Sequence, residues 1–187
     1  KTGANVWSVS ATVDPKEGKI SGFGLDNIVA GLTFNENGSF QGVAGTSTAE
    51  LLASRDPFTV AGSPATLSTP LNSVDQHTGG AYAAGDSIQI TGKDSNGDPV
   101  GPITFMTAGM TIGDLITTIN ANYKGATASL DAAGNVQIKS NSTGQSDLSL
   151  KLQDTPTNTG GHTTFSTFSE AVRGTSGNDD IVFQVNN

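Results

Sequence analysis

The sequence contains no cysteine, which excludes disulfides, thiolate metal sites and cysteine nucleophiles. Basic residues are also few, since nine Lys and Arg face seventeen Asp and Glu and the formal net charge is −8. This charge repels phosphate backbones and anionic lipid headgroups, so we expect neither nucleic acid nor a membrane surface as a partner. No apolar run approaches the ~18 residues of a membrane-spanning helix, and the first residues lack a basic-then-apolar signal pattern.

Aromatic residues are scarce too, with one Trp, two Tyr and eight Phe, whereas Gly is abundant at 24 of 187 residues. Ser, Thr, Asn and Asp fill most of the connections, and these residues together with Gly are typical of tight turns between short strands. The composition therefore predicts a mainly β fold. The length allows one ordinary domain or two small ones.

Alternating apolar residues indicate a strand near each end of the sequence. In residues 6–13, every second residue from Trp7 onward is apolar, so that these side chains share one face of a strand. Apolar residues alternate in the same way in residues 181–185. The sequence has no initiator Met and both ends lie close to a strand, so we expect it to be a piece of a longer protein. Residues 31–34 and 39–43 flank the turn-forming residues 35–38 and predict a hairpin.

The middle of the sequence predicts a second, α+β unit. Residues 46–75 are interpreted as a connection with a short possible helix at 48–53. Strands are then predicted at 86–91 and 100–106, separated by a turn at 93–98. Three more short strands are predicted, at residues 126–130, 135–139 and 148–152.

One helix is predicted between these strands. Thr111 is the predicted N-cap, and Asp114, three residues later, completes a capping box. Gly125 suits the C-terminal stop. The predicted apolar stripe consists of Ile112, Leu115, Ile116, Ile119 and Tyr123.

The simplest architecture is an insertion. Both chain ends form a discontinuous outer β-domain, barrel-like or sandwich-like, from residues 1–62 and 157–187. A small α+β domain with one helix, residues 63–156, is threaded through it.

No candidate catalytic or metal site emerges from the sequence. His77 and His162 lie in Gly/Thr-rich stretches without a partner at ligand spacing, and we interpret both as exposed loop residues. A Ser-His-Asp triad can assemble from distant residues, but no G-x-S-x-G elbow is present. We therefore predict a protein that is not an enzyme and has no catalytic residue, cofactor or metal.

Several short motifs are better explained as turns. Residues 94–98 begin like a calcium loop, but Pro99 occupies the position that requires Gly. Residues 174–179 resemble one copy of a calcium-binding nonapeptide, which functions only in tandem. Residues 22–27 lack the third glycine of a dinucleotide loop. The sequons at Asn37 and Asn141 are interpreted as turns.

Two stretches resemble the bacterial flagellar axial proteins, and the hook subunit in particular. Residues 1–11 with 31–39 resemble the middle β-domain of hook proteins, in which a Trp-bearing strand precedes an L-x-F-x-x-x-G hairpin. Residues 111–121, 125–131 and 140–144 are similar to a repeat module of flagellins, hook proteins and filament caps, marked by an Ile-Asn pair, here Ile119-Asn120. The resemblance covers about two-thirds of the chain.

This resemblance implies a structural role outside the cell. Subunits of this family leave the cell unfolded through the flagellar export channel, without a cleaved signal peptide, and their β-domains face outward and slide past one another as the hook bends. The expected partners are copies of the chain in the hook polymer. Because the sequence has no long heptad helix, we expect this piece alone to be monomeric.

Two other interpretations remain open from the sequence. The first is a hook-associated protein, filament cap or flagellin, because these relatives share the repeat module. The second is a carbohydrate-binding or adhesive β-module of a bacterial surface protein. Such modules display exposed aromatic residues, above all Trp and Tyr. Trp7 and Tyr123 are assigned to core faces, so Tyr82 is the one Trp or Tyr that remains free.

Overall fold

The computed structural model describes residues 6–10, 18–21, 28–34, 40–43, 47–175 and 182–185. These residues form several antiparallel sheets and one α-helix, which confirms the predicted mainly β class. Within them no sheet closes into a barrel, and no helix is long and apolar enough to cross a membrane.

The elements are, in chain order, β1 Val6–Ser10, β2 Gly18–Ser21, β3 Ile28–Phe34, β4 Phe40–Val43, β5 Ala49–Ser54, β6 Thr59–Val60, β7 Ser63–Pro64, a 3₁₀ turn Leu71–Ser73, β8 His77–Gly79, β9 Ser87–Lys93, β10 Pro99–Met106, α1 Ile112–Asn122, β11 Ala126–Leu130, β12 Val136–Thr143, β13 Ser149–Asp154, β14 Gly161–Thr163, β15 Phe168–Val172 and β16 Val182–Val185.

The chain folds into two compact units. Unit 1 comprises residues 1–48, 143–145 and 174–187, and unit 2 comprises residues 49–142 and 146–173. The predicted bounds gave β5 and β15 to the outer domain. The structure pairs β5 with β12 and β15 in one sheet of unit 2, because strand pairing over a long sequence separation outweighs proximity along the chain.

Unit 1 contains a three-stranded sheet in the order β1-β3-β4 and the pair β2-β16. The antiparallel pairing of β3 with β4 confirms the predicted hairpin strands, while the turn at 35–38 lies outside the described residues. Thr48 and Thr175 form an antiparallel bridge in which each backbone N–H donates to the other carbonyl, at 3.0 and 2.9 Å. All residues of unit 2 lie between Thr48 and Thr175 in the sequence, and residues 143–145 between them also belong to unit 1.

Residues 48–53 do not form the predicted short helix. Residues 49–54 form strand β5, whose buried residues alternate as Glu50, Leu52 and Ser54. The helical propensity of Ala, Glu and Leu is weak compared with the hydrogen bonds and burial that a strand gains between two neighbouring strands. The prediction of a helix here was therefore wrong.

Helix α1 forms as predicted. The Thr111 hydroxyl accepts from the Asp114 N–H at 3.2 Å, and the Asp114 carboxylate accepts from the Thr111 N–H at 2.8 Å, which confirms the capping box. The bonds that the Asp114 carboxylate accepts, first from the Thr111 N–H and second from the Thr111 hydroxyl, lower the pKa of Asp114. The predicted apolar stripe is buried. Gly125 follows the C-cap Tyr123 by two residues and adopts φ +64°.

The core of unit 2 lies between α1 and the two larger sheets, β10-β9-β13 and β11-β12-β5-β15. Its completely buried side chains come from the predicted inward faces of β9, α1 and β12. They are Ile88, Ile90, Ile112, Leu115, Ile119, Val136 and Ile138, to which Leu71 is added.

Candidate functional site

The structure brings both histidines of the chain into one group of polar side chains in unit 2. This polar cluster consists of His77, Tyr82, Asp154, His162 and Thr163. Strand β8 pairs with β14, so that His77 lies opposite Thr163. The interpretation of the histidines as loop residues was wrong, because each lies in a short strand whose partner is remote in the sequence.

Tyr82 is the centre of the polar cluster. Its side chain is buried, with an exposed fraction of 5 %, and its ring centroid lies 4.8 Å from that of His77. Its Oη lies 2.9 Å from Asp154 Oδ1 and 2.7 Å from Thr163 Oγ1. Burial raises the pKa of Tyr82 above its ordinary value, so the phenol is protonated at neutral pH. The prediction that Tyr82 is a free aromatic was wrong, and the carbohydrate-binding interpretation loses its candidate residue.

The hydrogen-bond partners of His77 and Tyr82 restrict where their protons lie. His77 Nε2 lies 2.8 Å from the Gly80 carbonyl oxygen, which can only accept, so Nε2 carries a proton. His77 Nδ1 lies 3.1 Å from Thr163 Oγ1. The Tyr82 hydroxyl has a single proton and two acceptors within reach, Asp154 Oδ1 and Thr163 Oγ1.

Asp154 has both carboxylate oxygens engaged. His162 Nδ1 donates to Oδ2 at 2.7 Å, while the Thr163 N–H donates to Oδ1 at 3.2 Å. The His162 side chain is 51 % exposed and that of Asp154 is 15 % exposed. An imidazole held by a carboxylate occurs in catalytic dyads. Here, however, the one cluster hydroxyl that resembles a nucleophile, that of Thr163, is held by Tyr82 and His77.

A second carboxylate, that of Asp86, fastens the loop that follows β13. Its oxygens accept from the backbone N–H groups of Ala83 at 2.8 Å, Thr159 at 2.8 Å and Gly160 at 2.9 Å. These bonds, with that of Thr159 first, lower the pKa of Asp86 to about 2. A Cβ on Gly160 would collide with the carbonyl oxygen of Ala81, so the loop can approach this closely only with glycine.

Asn158 completes the attachment of this loop to β9. Its Oδ1 accepts from the Ser87 N–H at 2.8 Å, and its Nδ2 donates to the Ser87 carbonyl at 3.0 Å. The Ser87 hydroxyl lies 3.0 Å from that of Thr155. Buried polar groups are costly unless they are paired, and among the described residues no buried side-chain nitrogen or oxygen lacks a hydrogen-bond partner.

The turn interpretation of residues 94–98 is confirmed. Asp94 is buried, and its Oδ1 accepts from the N–H groups of Asn96 at 2.9 Å and Asp98 at 3.1 Å. The part of the chain that the structure describes contains no group of three or more His, Cys, Asp and Glu side chains that could hold a metal ion.

The other sequence motifs are only partly described. Residues 22–27, the sequon at 37–39 and residues 176–179 of the nonapeptide-like stretch lie outside the described residues. Asn141 lies in β12, where the Thr127 hydroxyl donates to its side-chain oxygen at 2.7 Å, so this sequon forms part of a strand instead of the predicted turn.

A small cavity lies beside the polar cluster in unit 2. Its volume is about 100 Å³, and its walls include Phe58, Phe165, Phe168 and Leu152, with Asp56 among its polar lining residues. Sites for drug-sized ligands are larger, at about 300–1,000 Å³. No family model, curated protein or solved structure matches this chain.

Proposed function

We propose that this chain is the outer part of a bacterial flagellar hook subunit, a non-catalytic structural piece whose two units pack and slide against neighbouring subunits. The observation that carries this proposal is the antiparallel bridge between Thr48 and Thr175. It makes unit 2 an insertion into unit 1. By such an insertion a subunit of a tubular polymer can add a further domain and keep the domain that carries it.

The stretches that resemble flagellar axial proteins coincide with elements of the structure. Trp7 lies in β1, which pairs with β3 of the β3–β4 hairpin. The repeat-like stretch that begins at Thr111 is helix α1, followed directly by the β11–β12 hairpin. This agreement supports the resemblance, because the described residues of each stretch lie in paired strands or in a helix next to them.

The surface of the described residues suits contacts that form and break. Their exposed large apolar side chains are few, and exposed fractions range from 37 to 53 %. They are Val60, Leu67, Met106, Met110 and Val172. Large apolar patches favour lasting association, whereas a net charge of −8 opposes it. A surface that slides past copies of itself requires this balance.

The polar cluster also supports a structural role. Its hydroxyls, its carboxylate and the ring nitrogens of His77 all bond to one another or to backbone groups. The imidazole of His162 is exposed and held by Asp154, but a reaction centre also needs a nucleophile that such a base can activate, and the Thr163 hydroxyl is held by Tyr82 and His77. These contacts instead join the strand pair β8–β14 to the end of β13.

Immunogold electron microscopy of the source bacterium tests the proposal. Antibodies raised against the folded chain are applied to intact cells and to sheared surface appendages. We expect gold particles on the short curved segment between the cell envelope and the filament. Label along the filament indicates a flagellin, label at its tip indicates a cap, and label on the cell body indicates an adhesin, so each of these results contradicts the hook assignment. A strain that lacks the gene provides the control for antibody specificity.

A further inference from the structure

Strand β11 forms an outer edge of the sheet β11-β12-β5-β15 in unit 2. The outer side of an edge strand presents unpaired N–H and C=O groups, to which another chain can add a strand. In an antiparallel pair, residues alternately direct both of these groups toward the partner strand and away from it. Ala128 lies opposite Ile138 of β12. Both of its backbone groups bond to a side chain that belongs to neither strand.

That side chain is Asn120 on helix α1. The Ala128 N–H donates to Asn120 Oδ1 at 2.6 Å, and Asn120 Nδ2 donates to the Ala128 carbonyl at 3.0 Å. The amide thus presents one acceptor and one donor, as a residue of a neighbouring strand would. The donor and acceptor of Ala128 also fix which side of the amide carries the oxygen.

Other polar side chains of α1 bond only within the helix. Thr117 and Thr118 donate to the carbonyls of Gly113 and Asp114, at 2.8 and 3.0 Å. Asn122 donates to the carbonyl of Thr118 at 2.8 Å. Asparagine is a poor helix former, so the contact with Ala128 gives a reason for Asn120 at this position that helix stability does not.

Strand β11 differs from the other edges of the two larger sheets. Strand β10 contains Pro99 and Pro102 and a register shift, β13 contains Lys151 and Asp154, and β15 contains Glu170 and a register shift. Prolines, charges and bulges are the usual devices that prevent edge-to-edge pairing. Strand β11, with the sequence Ala-Thr-Ala-Ser-Leu, has no proline, charge or register shift.

We propose that Asn120 is a strand-edge plug, which occupies the outward groups of Ala128 and prevents β11 from pairing with β11 of a second copy. A second copy fits this edge because antiparallel self-pairing joins two strands whose own residues carry no charge. The inference rests on contacts within unit 2 and is independent of the hook assignment.

The test compares Asn120→Ala with Asn122→Ala, which removes an exposed amide from the same helix without touching β11. We expect amide hydrogen exchange at Ala128 to become about tenfold faster in Asn120→Ala only. We also expect that variant to form a dimer whose fraction rises with concentration in sedimentation velocity, while Asn122→Ala stays monomeric. Unchanged exchange at Ala128, or an Asn120→Ala variant that stays monomeric, overturns the proposal.

Asn120→Asp separates loss of the plug from misfolding. Its carboxylate can still accept from the Ala128 N–H but cannot donate to the carbonyl, and its charge opposes pairing with a second copy. We expect it to stay monomeric with slow exchange at Ala128. If Asn120→Asp associates as strongly as Asn120→Ala, the association does not come from the β11 edge and the proposal fails.

Discussion

Unit 2 contains two regions that are held together by different forces. The apolar core joins α1 to the larger sheets through side chains with no exposed surface, such as Leu115 and Ile138. The polar region, formed by the polar cluster and the Asp86 loop, joins β8, β13 and β14 through hydrogen bonds. Apolar burial is non-directional and tolerates some repacking, whereas a buried polar network requires every partner. The two regions should therefore respond differently to substitution and to pH.

The largest expected effect comes from the apolar core. Leu115→Ala removes a completely buried side chain and leaves a cavity, so we expect the free energy of unfolding to fall by about 2–5 kcal/mol in urea titrations. Thr117→Ala, on the exposed side of the same helix, is the control and should change it by about 0.5 kcal/mol or less. Equal losses in the two variants would contradict the assignment of the helix faces.

The next effect separates the two regions by their pH dependence. The folded state lowers the pKa of Asp86 from 3.8 to about 2, so its carboxylate stabilises the fold above the ordinary value, and this contribution is lost as the pH falls toward 2. Asp86→Asn should therefore be much less stable than wild type at pH 7, and the difference should shrink between pH 4 and pH 2.

The control for this substitution is Asp98→Asn, which makes the same charge change at an exposed side chain. It should be close to wild type throughout this pH range. A difference between Asp86→Asn and wild type that is as large at pH 2 as at pH 7 would contradict the role of the carboxylate.

A smaller effect tests whether the polar cluster acts as one unit. Tyr82→Phe leaves Asp154 and Thr163 without the hydroxyl, and we expect a loss of about 1–3 kcal/mol in thermal unfolding. In a double-mutant cycle with Thr163→Val, a coupling energy of about 0.5 kcal/mol or more is expected for residues in one network. Additive losses would mean that the contacts are independent.

The smallest effect concerns the start of α1. Thr111→Ala removes the N-cap acceptor for the Asp114 N–H, and such a loss costs about 1 kcal/mol. Circular dichroism during urea unfolding measures it, with Thr117→Ala again as the control. A stability equal to that of Thr117→Ala would show that the capping box contributes little.

The sequence predicted the apolar region better than the polar one. The patterns that indicate the apolar region are formed by residues close together in the sequence, whereas the contacts of the polar region join residues far apart in it. The cap and stripe of α1 lie within about a dozen residues, and the alternating residues of β9 and β12 are equally local. By contrast, Tyr82 and Asp154 are separated by 72 positions, and no local pattern indicates that they meet. The strand β5 was mistaken for a helix for a related reason, since its partners β12 and β15 lie far along the chain.

Asn120 lies between these two cases. Its partner Ala128 is only eight positions away, so a local signal existed. A poor helix former near the end of an otherwise regular helix, followed by an uncharged edge strand, is such a signal. Asn120 belongs to the Ile-Asn pair used for the family resemblance, but composition and periodicity alone gave it no role.

The central claim is that the hydrogen bonds of the polar region hold it together separately from the apolar core. Amide hydrogen exchange tests this claim most directly, with Asp86→Asn compared with Asp98→Asn at the same pH. We predict faster exchange at Ala83, Thr159 and Gly160, whose N–H groups bond to the Asp86 carboxylate, with unchanged exchange at Ile119 and Ile138 in the apolar core. Exchange that accelerates equally in both regions, or in neither, would contradict it.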